Sequence, residues 1–566
     1  MKKNIIFKSL AGVLVAGSLG SCSSDYLDLA PEVDFPTSTV MGTTEAAKYA
    51  INGLCYSMNC VYGGVDLAPQ ISGEASINTL YGDQNSPDWF YNWYALSGVD
   101  FMKWEFITRA EYTPAFPAWM YGYNLINQAN TILVDIDNAE GPEADRAFIK
   151  AQALTMRAHA YQLLLKIYGP RWEDSAEGKK YVLVYRTEPG TGDAPLASMN
   201  KVLKLIYDDL DEAIELYTES GKSRSQIWEP NIDIARGVYA RAAMLKHDWA
   251  KARDMARAAR ANYPIMTAEE YTSGFYTPNG EWMWANAADE NVTGYAGWGS
   301  WFACNGGYAS FLGKGSPSIS YDLYKATDEN DCRREYFFTP DKRLPNSVHA
   351  SDFWEESAVD PETMNMNKVA GFRLAIQAMG RTMMPNGDTE MFLPANTTST
   401  DSGAASDVIV PFGAGFKFWG MGPYTTLSFP FMRASELALY EAEACYNLGD
   451  IAGAQKALND VNSKRIPGYN CTKTGDAFFE EYMISSRMEL WGEGQTWFNM
   501  KRWNVTAVRN PWIATDENSN NMPAKFAYKN GPEVQNGWRW AIPRSEERYN
   551  KLCSSTQLEQ LAPDGE

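Results

Sequence analysis

The sequence predicts a mainly α protein, a scaffold of paired helices carrying a large, irregular, loop-rich insert with short strands. Three observations lead there. Apolar residues recur at helical spacing in adjacent segments separated by Gly or Pro breaks. One helix–turn–helix unit occurs twice. Roughly residues 271–431 abandon that period for Gly, Asn, Ser, Thr, Pro and aromatic residues, far beyond the connections usual in compact domains.

The chain opens with Met1, Lys2, Lys3 and Asn4, then a mostly apolar run broken by Lys8, closing on Leu19, Gly20 and Ser21 before Cys22. A positive start, a short apolar core and small residues at its end predict an export signal over 1–21. The run falls short of the ~20 apolar residues that span hydrocarbon. Leu19-Gly20-Ser21-Cys22 resembles a bacterial lipobox, which implies cleavage before Cys22 and its acylation; Ser23, Ser24 and Asp25 then begin a polar tether. Buried acyl chains contribute about 0.8 kcal/mol per CH₂, so Cys22 is expected to anchor a soluble body at a membrane. An ordinary secreted protein with Cys22 near its cleavage site is the alternative.

Without residues 1–21 the chain carries 47 Lys+Arg against 70 Asp+Glu, a net charge of −23. Such a body is repelled by nucleic acid and anionic lipid, so no nucleic-acid partner is expected. Besides Cys22, seven cysteines remain. Cys55 and Cys60 are the closest pair and could bridge in an oxidising compartment, but no dense disulfide framework is present, and most are expected as small buried apolar residues. Aromatics reach 13%, with 19 Trp and 32 Tyr, more than a core requires.

The first helix pair reads from Pro117 to about Asp135, apolar at Trp119, Tyr123, Ile126, Ala129 and Leu133, and then, past Gly141-Pro142, to Gly169-Pro170. A second pair covers Ser198–Tyr217 and Ile232–Lys246, with a further helix over Trp249–Ala261. Later, Arg433–Val461 places Ala434, Leu437, Ala438, Ala442, Cys445 and Leu448 on one face, turns at Gly449-Asp450 and resumes with Ile451, Ala454, Leu458 and Val461. Asp248, Trp249, Ala250 and Ala252 align with Asp450, Ile451, Ala452 and Ala454. The repeated unit is similar to a tetratricopeptide hairpin.

Further stretches carry a whole-chain resemblance. "DYLDLAPE" follows Cys22. "FPFMRASELALYEAEA" (Phe429–Ala444) puts an Arg before a Leu-rich helix. "RMELWGEGQTWFNMKRWN" (Arg487–Asn504) and "IPRSEERYN" (Ile542, Pro543, Glu546, Asn550) follow. With these the chain resembles the SusD/RagB family of nutrient-binding outer-membrane lipoproteins. Thr496 and Asn499 stand where that family usually has Arg and Asp, removing one buried ion pair. The resemblance implies an N-terminal region over 22–270, a C-terminal region over 271–566 that begins with the insert, and a surface-exposed lipoprotein at the outer membrane. Glu489, Glu493 and Arg502, spaced with Trp491, Trp497 and Trp503, are expected to form a charged–aromatic seam.

Enzyme chemistry finds little to build on. There are three histidines, His159, His247 and His349, the first two in helices without a ligand-spaced partner, and no G-x-S-x-G, H-E-x-x-H, C-x-x-C or P-loop pattern. "DENDCRRE" (Asp328–Glu335) lacks the turn glycine and terminal Glu of a Ca²⁺ loop and is expected as a solvated helix entry; no cofactor is expected, and structural Ca²⁺ is unsupported. Two carboxylates suffice for a glycosidase, which keeps a hydrolase open.

Saccharide binding needs flat apolar ring faces flanked by groups that pair with hydroxyls. Leu80–Gly98 offers Tyr81, Trp89 and Trp93 with Asp83, Gln84, Asn85 and Asp88; Tyr295–Asn305 offers Trp298 and Trp301 among glycines. Trp249, Trp284, Trp491 and Trp503 are assigned to the core. The resemblance implies an aromatic arc built jointly by N-terminal loop and insert. Trp89, Trp93, Trp298 and Trp301 are therefore expected as the platform, flanked by Tyr81, Asp83, Tyr295 and Asn305. The expected ligand is an oligosaccharide or polysaccharide, and the expected partner a SusC-like TonB-dependent transporter over which the protein lies as a lid. A peptide-binding lipoprotein and, further off, a tetratricopeptide adaptor remain alternatives.

Overall fold

The structure, a computed structural model, describes residues 42–59, 73–90, 107–112, 115–275, 277–286, 318–337, 428–511 and 538–563, with short pieces between 384 and 418 and between 513 and 530, and residue 565. It is mainly helical. The described helices are α1 (Thr44–Ser57), α2 (Glu74–Asn78), α3 (Pro117–Asp135), α4 (Glu143–Tyr168), α5 (Met199–Ser220), α6 (Ile232–Lys246), α7 (Trp249–Arg260), α8 (Ala268–Thr272), α9 (Tyr321–Ala326), α10 (Ala434–Asn447), α11 (Ile451–Asn462), α12 (Gly475–Glu489), α13 (Thr496–Trp503) and α14 (Arg544–Tyr549). Described strands pair two by two: β1 (Trp89–Phe90) with β5 (Ser318–Ile319), β2 (Tyr181–Val184) with β3 (Leu196–Ser198), β4 (Trp282–Ala285) with β8 (Pro430–Arg433), β6 (Met384–Asn386) with β7 (Glu390–Phe392) and β9 (Ala507–Arg509) with β10 (Tyr528–Asn530).

Local chemistry accounts for the helix starts. Pro117 opens α3, where its missing N–H would be unpaired anyway. Ser198, Asn231, Asp248 and Asp450 cap α5, α6, α7 and α11, each side chain accepting from a backbone N–H inside the first turn. The repeat expected from sequence is visible in backbone angles: Asp248 has φ −80, ψ 72 and Asp450 has φ −82, ψ 74. Before each cap the chain turns through a left-handed residue, Gly449 (φ 78) in one copy and His247 (φ 58) in the other. His247 bears that conformation while its Nδ1 meets Glu173 Oε1 at 2.6 Å and its ring stacks on Trp249.

Each helix from α3 to α7 packs on the next, and α7 then packs on α10, which packs on α11. The helical stack is thus continuous across the insert. Arg257 and Arg260 of α7 donate to Glu441 of α10 at 2.8 and 2.9 Å, and Arg241 of α6 makes a buried bidentate pair with Glu436. Arg157 and Asp209 tie α4 to α5 in the same way. β4 and β8, antiparallel with Trp284 opposite Met432 and Ala285 opposite Pro430, form the neck of the insert inside the expected 271–431. One apolar core runs from Ala47 to Cys553 across residue 270.

Cys55, Cys445, Cys471 and Cys553 are buried free thiols, and Cys332 is half-buried. The bridge considered between Cys55 and Cys60 involves a residue outside the described ones; burial pushes the Cys55 thiol pKa up. Cys60 and Cys22 lie outside the described residues, as does the leader. Trp284 and Trp491 are core residues as expected, while Trp249 and Trp503 are half-buried at its edge.

Candidate functional site

The C-terminal motifs build the floor of the site. Arg433, at the end of β8, donates from Nη1 to Glu281 and Glu489 (2.6 and 2.9 Å), from Nε and Nη2 to Glu493 (2.7 and 2.8 Å), and from Nη2 to Glu489 O. Arg465 and Arg333 also reach Glu489, and Lys417 donates to Glu493 at 2.6 Å. Burial alone would raise the Glu489 pKa; the guanidiniums of Arg465 and Arg433 outweigh it and hold the carboxyl well below its usual range. Arg502 closes the other end of the seam, bidentate to Glu443 at 2.7 Å, which also accepts from Trp503 Nε1 and Tyr482. Glu489, Glu493 and Arg502 are fully engaged in structure.

The network also corrects part of the reading of Asp328–Glu335 as a solvated helix entry: Asp328, Glu329 and Asn330 are exposed and a 3₁₀ helix begins at Cys332, but the cap itself is buried. Asp331 is buried, accepts from the Arg333 backbone at 2.9 Å and pairs with the Arg333 side chain, whose Nη1 continues to Glu489. The segment fastens the insert to the helical body. Both histidines among the described residues meet a carboxylate: His159 in α4 meets Glu74 at 3.1 Å and His247, just past the end of α6, meets Glu173.

Above this floor lies the N-terminal segment. Thr79–Asp83 is a π-helix continuing α2, an uncommon form that concentrates at functional sites. It sits so close to the loop before α13 that a Cβ on Gly82 would come within 2.0 Å of Gly494 O. Tyr81 is buried, its OH accepting from Ala118 N at 3.3 Å and its ring 4.9 Å from Trp540. Asp83 is buried too. Its Oδ2 accepts from Gly494 N at 2.6 Å, Oδ1 meets no donor at hydrogen-bond geometry among the described residues, and burial pushes its pKa up to about 7. Trp89 is 0% exposed, in register with Ile319. None of the three presents a surface to a ligand, so their expected roles as platform and flanking contacts are corrected to packing. Thr496 and Asn499 are buried beside them, and Asn499 Oδ1 has no partner among the described residues.

The polar companions Gln84, Asn85 and Asp88 are buried as well, because C-terminal side chains grip this loop. Arg487 is bidentate to Asp88, with Nε to Oδ2 at 2.7 Å, and Trp491 Nε1 donates to Asp88 O at 3.0 Å. Arg509, fully buried, donates to the carbonyls of Gln84, Ser86 and Trp89. Sequence reasoning missed this clamp. Its signals were Arg487 inside the quoted motif and a buried arginine with carbonyl partners, and the second cannot be recognised without the fold.

β1 and β5 pair residues that border the two expected aromatic segments in the sequence. The strands are antiparallel, with Trp89 opposite Ile319 and Phe90 opposite Ser318. Residues 90 and 318 lie at the same end of this ladder; in the sequence Trp93 comes shortly after the first, and the 295–305 stretch before the second. Trp93, Tyr295, Trp298, Trp301 and Asn305 lie outside the described residues.

Comparison with known proteins bears on this architecture. Residues 262–558 match the family described as the SusD family. The chain belongs to the SusD family. Residues 25–242 match a second description, starch-binding associating with outer membrane. A curated SusD-like protein of Bacteroides ovatus is 25% identical over 256 residues, covering 44% of this chain and 40% of that protein. The chain thus aligns with under half the length of the curated relative it matches. Among solved structures, a SusD-like carbohydrate-binding protein of Bacteroides vulgatus is similar at a TM-score of 0.66 and 20% identity, covering 91% of this chain and 98% of that one. A sugar-binding protein of the same organism reaches 0.65 at 18% identity over 93% and 99%. At these identities the likeness is one of fold, and it extends over nearly the whole SusD-family chain.

Proposed function

We propose that this protein is a surface-exposed outer-membrane lipoprotein, anchored through Cys22, that captures an oligosaccharide or polysaccharide without cleaving it and passes it to a TonB-dependent transporter. The observation that supports this most directly is the pairing of β1 with β5: the chain that runs on to Trp93 leaves the described body, and the chain that carries Trp298 and Trp301 returns to it, at the same end of that ladder. Loops carried by a rigid scaffold are the usual bearers of binding residues. Stacked indoles supply contact area at little cost in rotamer entropy. In this reading Trp93, Trp298 and Trp301 stack on sugar rings, with Tyr295 and Asn305 beside them. The clamp of Arg487, Trp491 and Arg509 fixes the origin of the first stretch. Ligand contacts made only when the protein lies closed over the transporter would supply the free energy for closure.

The test is native affinity electrophoresis of the chain through gels containing plant, microbial and host polysaccharides. Retardation by at least one polymer, with no reducing ends released, is expected. Alanine at Trp93, Trp298 and Trp301 should abolish the retardation while circular dichroism stays unchanged. Unchanged affinity in the triple variant would place the platform elsewhere; release of reducing ends would make the protein a hydrolase.

A further inference from the structure

A cleft of about 480 Å³ lies between α1, the first turns of α4 and the loop after α5. Its size is within the roughly 300–1,000 Å³ of small-molecule sites. Two helical stripes form its walls. On α1 the residues Glu45, Lys48 and Asn52 face it, and on α4 Asp145, Phe148, Ile149 and Gln152 do so, spacings that place each set on one helix face. Glu229 and Ser223 complete the lining.

The polar groups here are built in and incompletely used. Gln152 is 2% exposed; its Nε2 donates to Pro230 O at 3.2 Å, and its Oε1 has no partner among the described residues. Glu229 is 4% exposed, its two oxygens accepting from Ser225 N and Oγ at 2.9 and 2.8 Å, with no lysine or arginine pairing its carboxylate among the described residues. The side chains of Asn52 and Lys48 make no described hydrogen bond. Phe148, held edge-on against Tyr217 at 5.5 Å, gives an apolar wall. Tyr49 and Tyr56, 69% and 41% exposed, lie on the same stripe of α1 as the lining residues.

The chemistry selects the occupant. Glu45, Asp145 and Glu229 outnumber Lys48 and Lys222, and Lys222 is already paired with Asp145, so a phosphate or other anion is disfavoured. A purely apolar ligand would strip water from Gln152 and Glu229 without replacing it. A polyhydroxylated ring satisfies both walls: its hydroxyls donate to Glu229 and Gln152 Oε1 and accept from Asn52 and Lys48, while its C–H face meets Phe148.

We propose that this cleft is an auxiliary site for a short neutral saccharide, separate from the aromatic platform. It takes its ligand class from the function proposed above but shares no residue with the platform. The test is saturation-transfer-difference NMR of the detergent-solubilised full chain with maltotriose, cellotriose, xylotriose and mannotriose in turn. It compares wild type, the Trp93→Ala/Trp298→Ala/Trp301→Ala variant, the Tyr49→Ala/Asn52→Ala variant and their combination. At least one trisaccharide should still bind the platform variant, and the added Tyr49→Ala/Asn52→Ala changes should weaken that binding at least tenfold. Complete loss in the platform variant alone would overturn the cleft and leave the platform standing. Loss in the Tyr49→Ala/Asn52→Ala variant alone would support the cleft and remove the platform. Absence of binding by wild type to all four sugars would overturn the cleft, with the platform still to be judged on the polysaccharide gels.

Discussion

Replacing Arg433 by Met isolates what the buried ionic network contributes. Around this side chain Glu281, Glu489, Glu493 and Asp331 face Arg433, Arg465, Arg333 and Lys417, four carboxylates against four cations. Arg433 is 0% exposed and supplies four of the charge-assisted bonds to carboxylate oxygens. Removing it leaves one uncompensated buried negative charge. Glu489 retains Arg465 and Arg333, and Glu493 retains Lys417, so the loss is smaller than that of several independent bonds; breaking one partner of a buried pair costs about 3–5 kcal/mol. At roughly 2.1 cal/mol/K of unfolding entropy per residue, a chain of this length loses ~1 °C per kcal/mol, so Tm should fall by ~4 °C. Scanning calorimetry of purified wild type, Arg433→Met and Arg433→Lys checks this, with Lys as an intermediate because one ammonium cannot replace the guanidinium fork. Lys204→Ala, which removes a surface pair with Asp208, is the control and should leave Tm unchanged. A wild-type Tm for Arg433→Met would refute the argument that the network needs its charge balance.

Asp83 should make stability fall as pH rises. Its folded pKa is pushed up to about 7 by burial, against an unfolded value near 3.9, so between those pH values the native state holds the extra proton and each unit of pH weakens it. Asp83→Asn should flatten the urea-midpoint profile between pH 4 and 7 and gain most at pH 8; an unchanged slope would dismiss the effect. Gly494 has φ +77, and a Cβ there would come within 2.5 Å of Asn78 backbone. Gly494→Ala should therefore cost about 2–4 kcal/mol, read as a lowered denaturation midpoint, whereas Gly449→Ala, with nothing within 4 Å, should cost only its left-handed strain of about 1–2 kcal/mol. Arg487→Ala strands the buried Asp88, and should lose about 3 kcal/mol while weakening glycan retardation on the gels more than Arg487→Lys does.

The sequence by itself determined the helices, because helical period, Pro117 and the caps at Asp248 and Asp450 are local signals that no distant residue needs to supply. The paired copies around those two aspartates were legible for the same reason, as was the structural role of Glu489, Glu493 and Arg502, which travel together in one short motif. Only the tertiary structure decided which aromatics and acids are covered. Trp89 and Asp83 looked like ligand contacts from composition, yet burial is set by partners far along the chain: Ile319 opposite Trp89, Gly494 against Asp83, and Arg487 and Arg509 on the loop between them. The same holds for Asp331, whose acidic surroundings suggested solvent until Arg333 and Glu489 closed over it. Continuity of the stack from α7 to α10 across the insert, and the meeting of β1 with β5, are likewise long-range pairings. A ring or a carboxylate carries the same letter whether it faces water or a partner, and the difference is the free energy of removing it from water, which depends on what the fold brings against it.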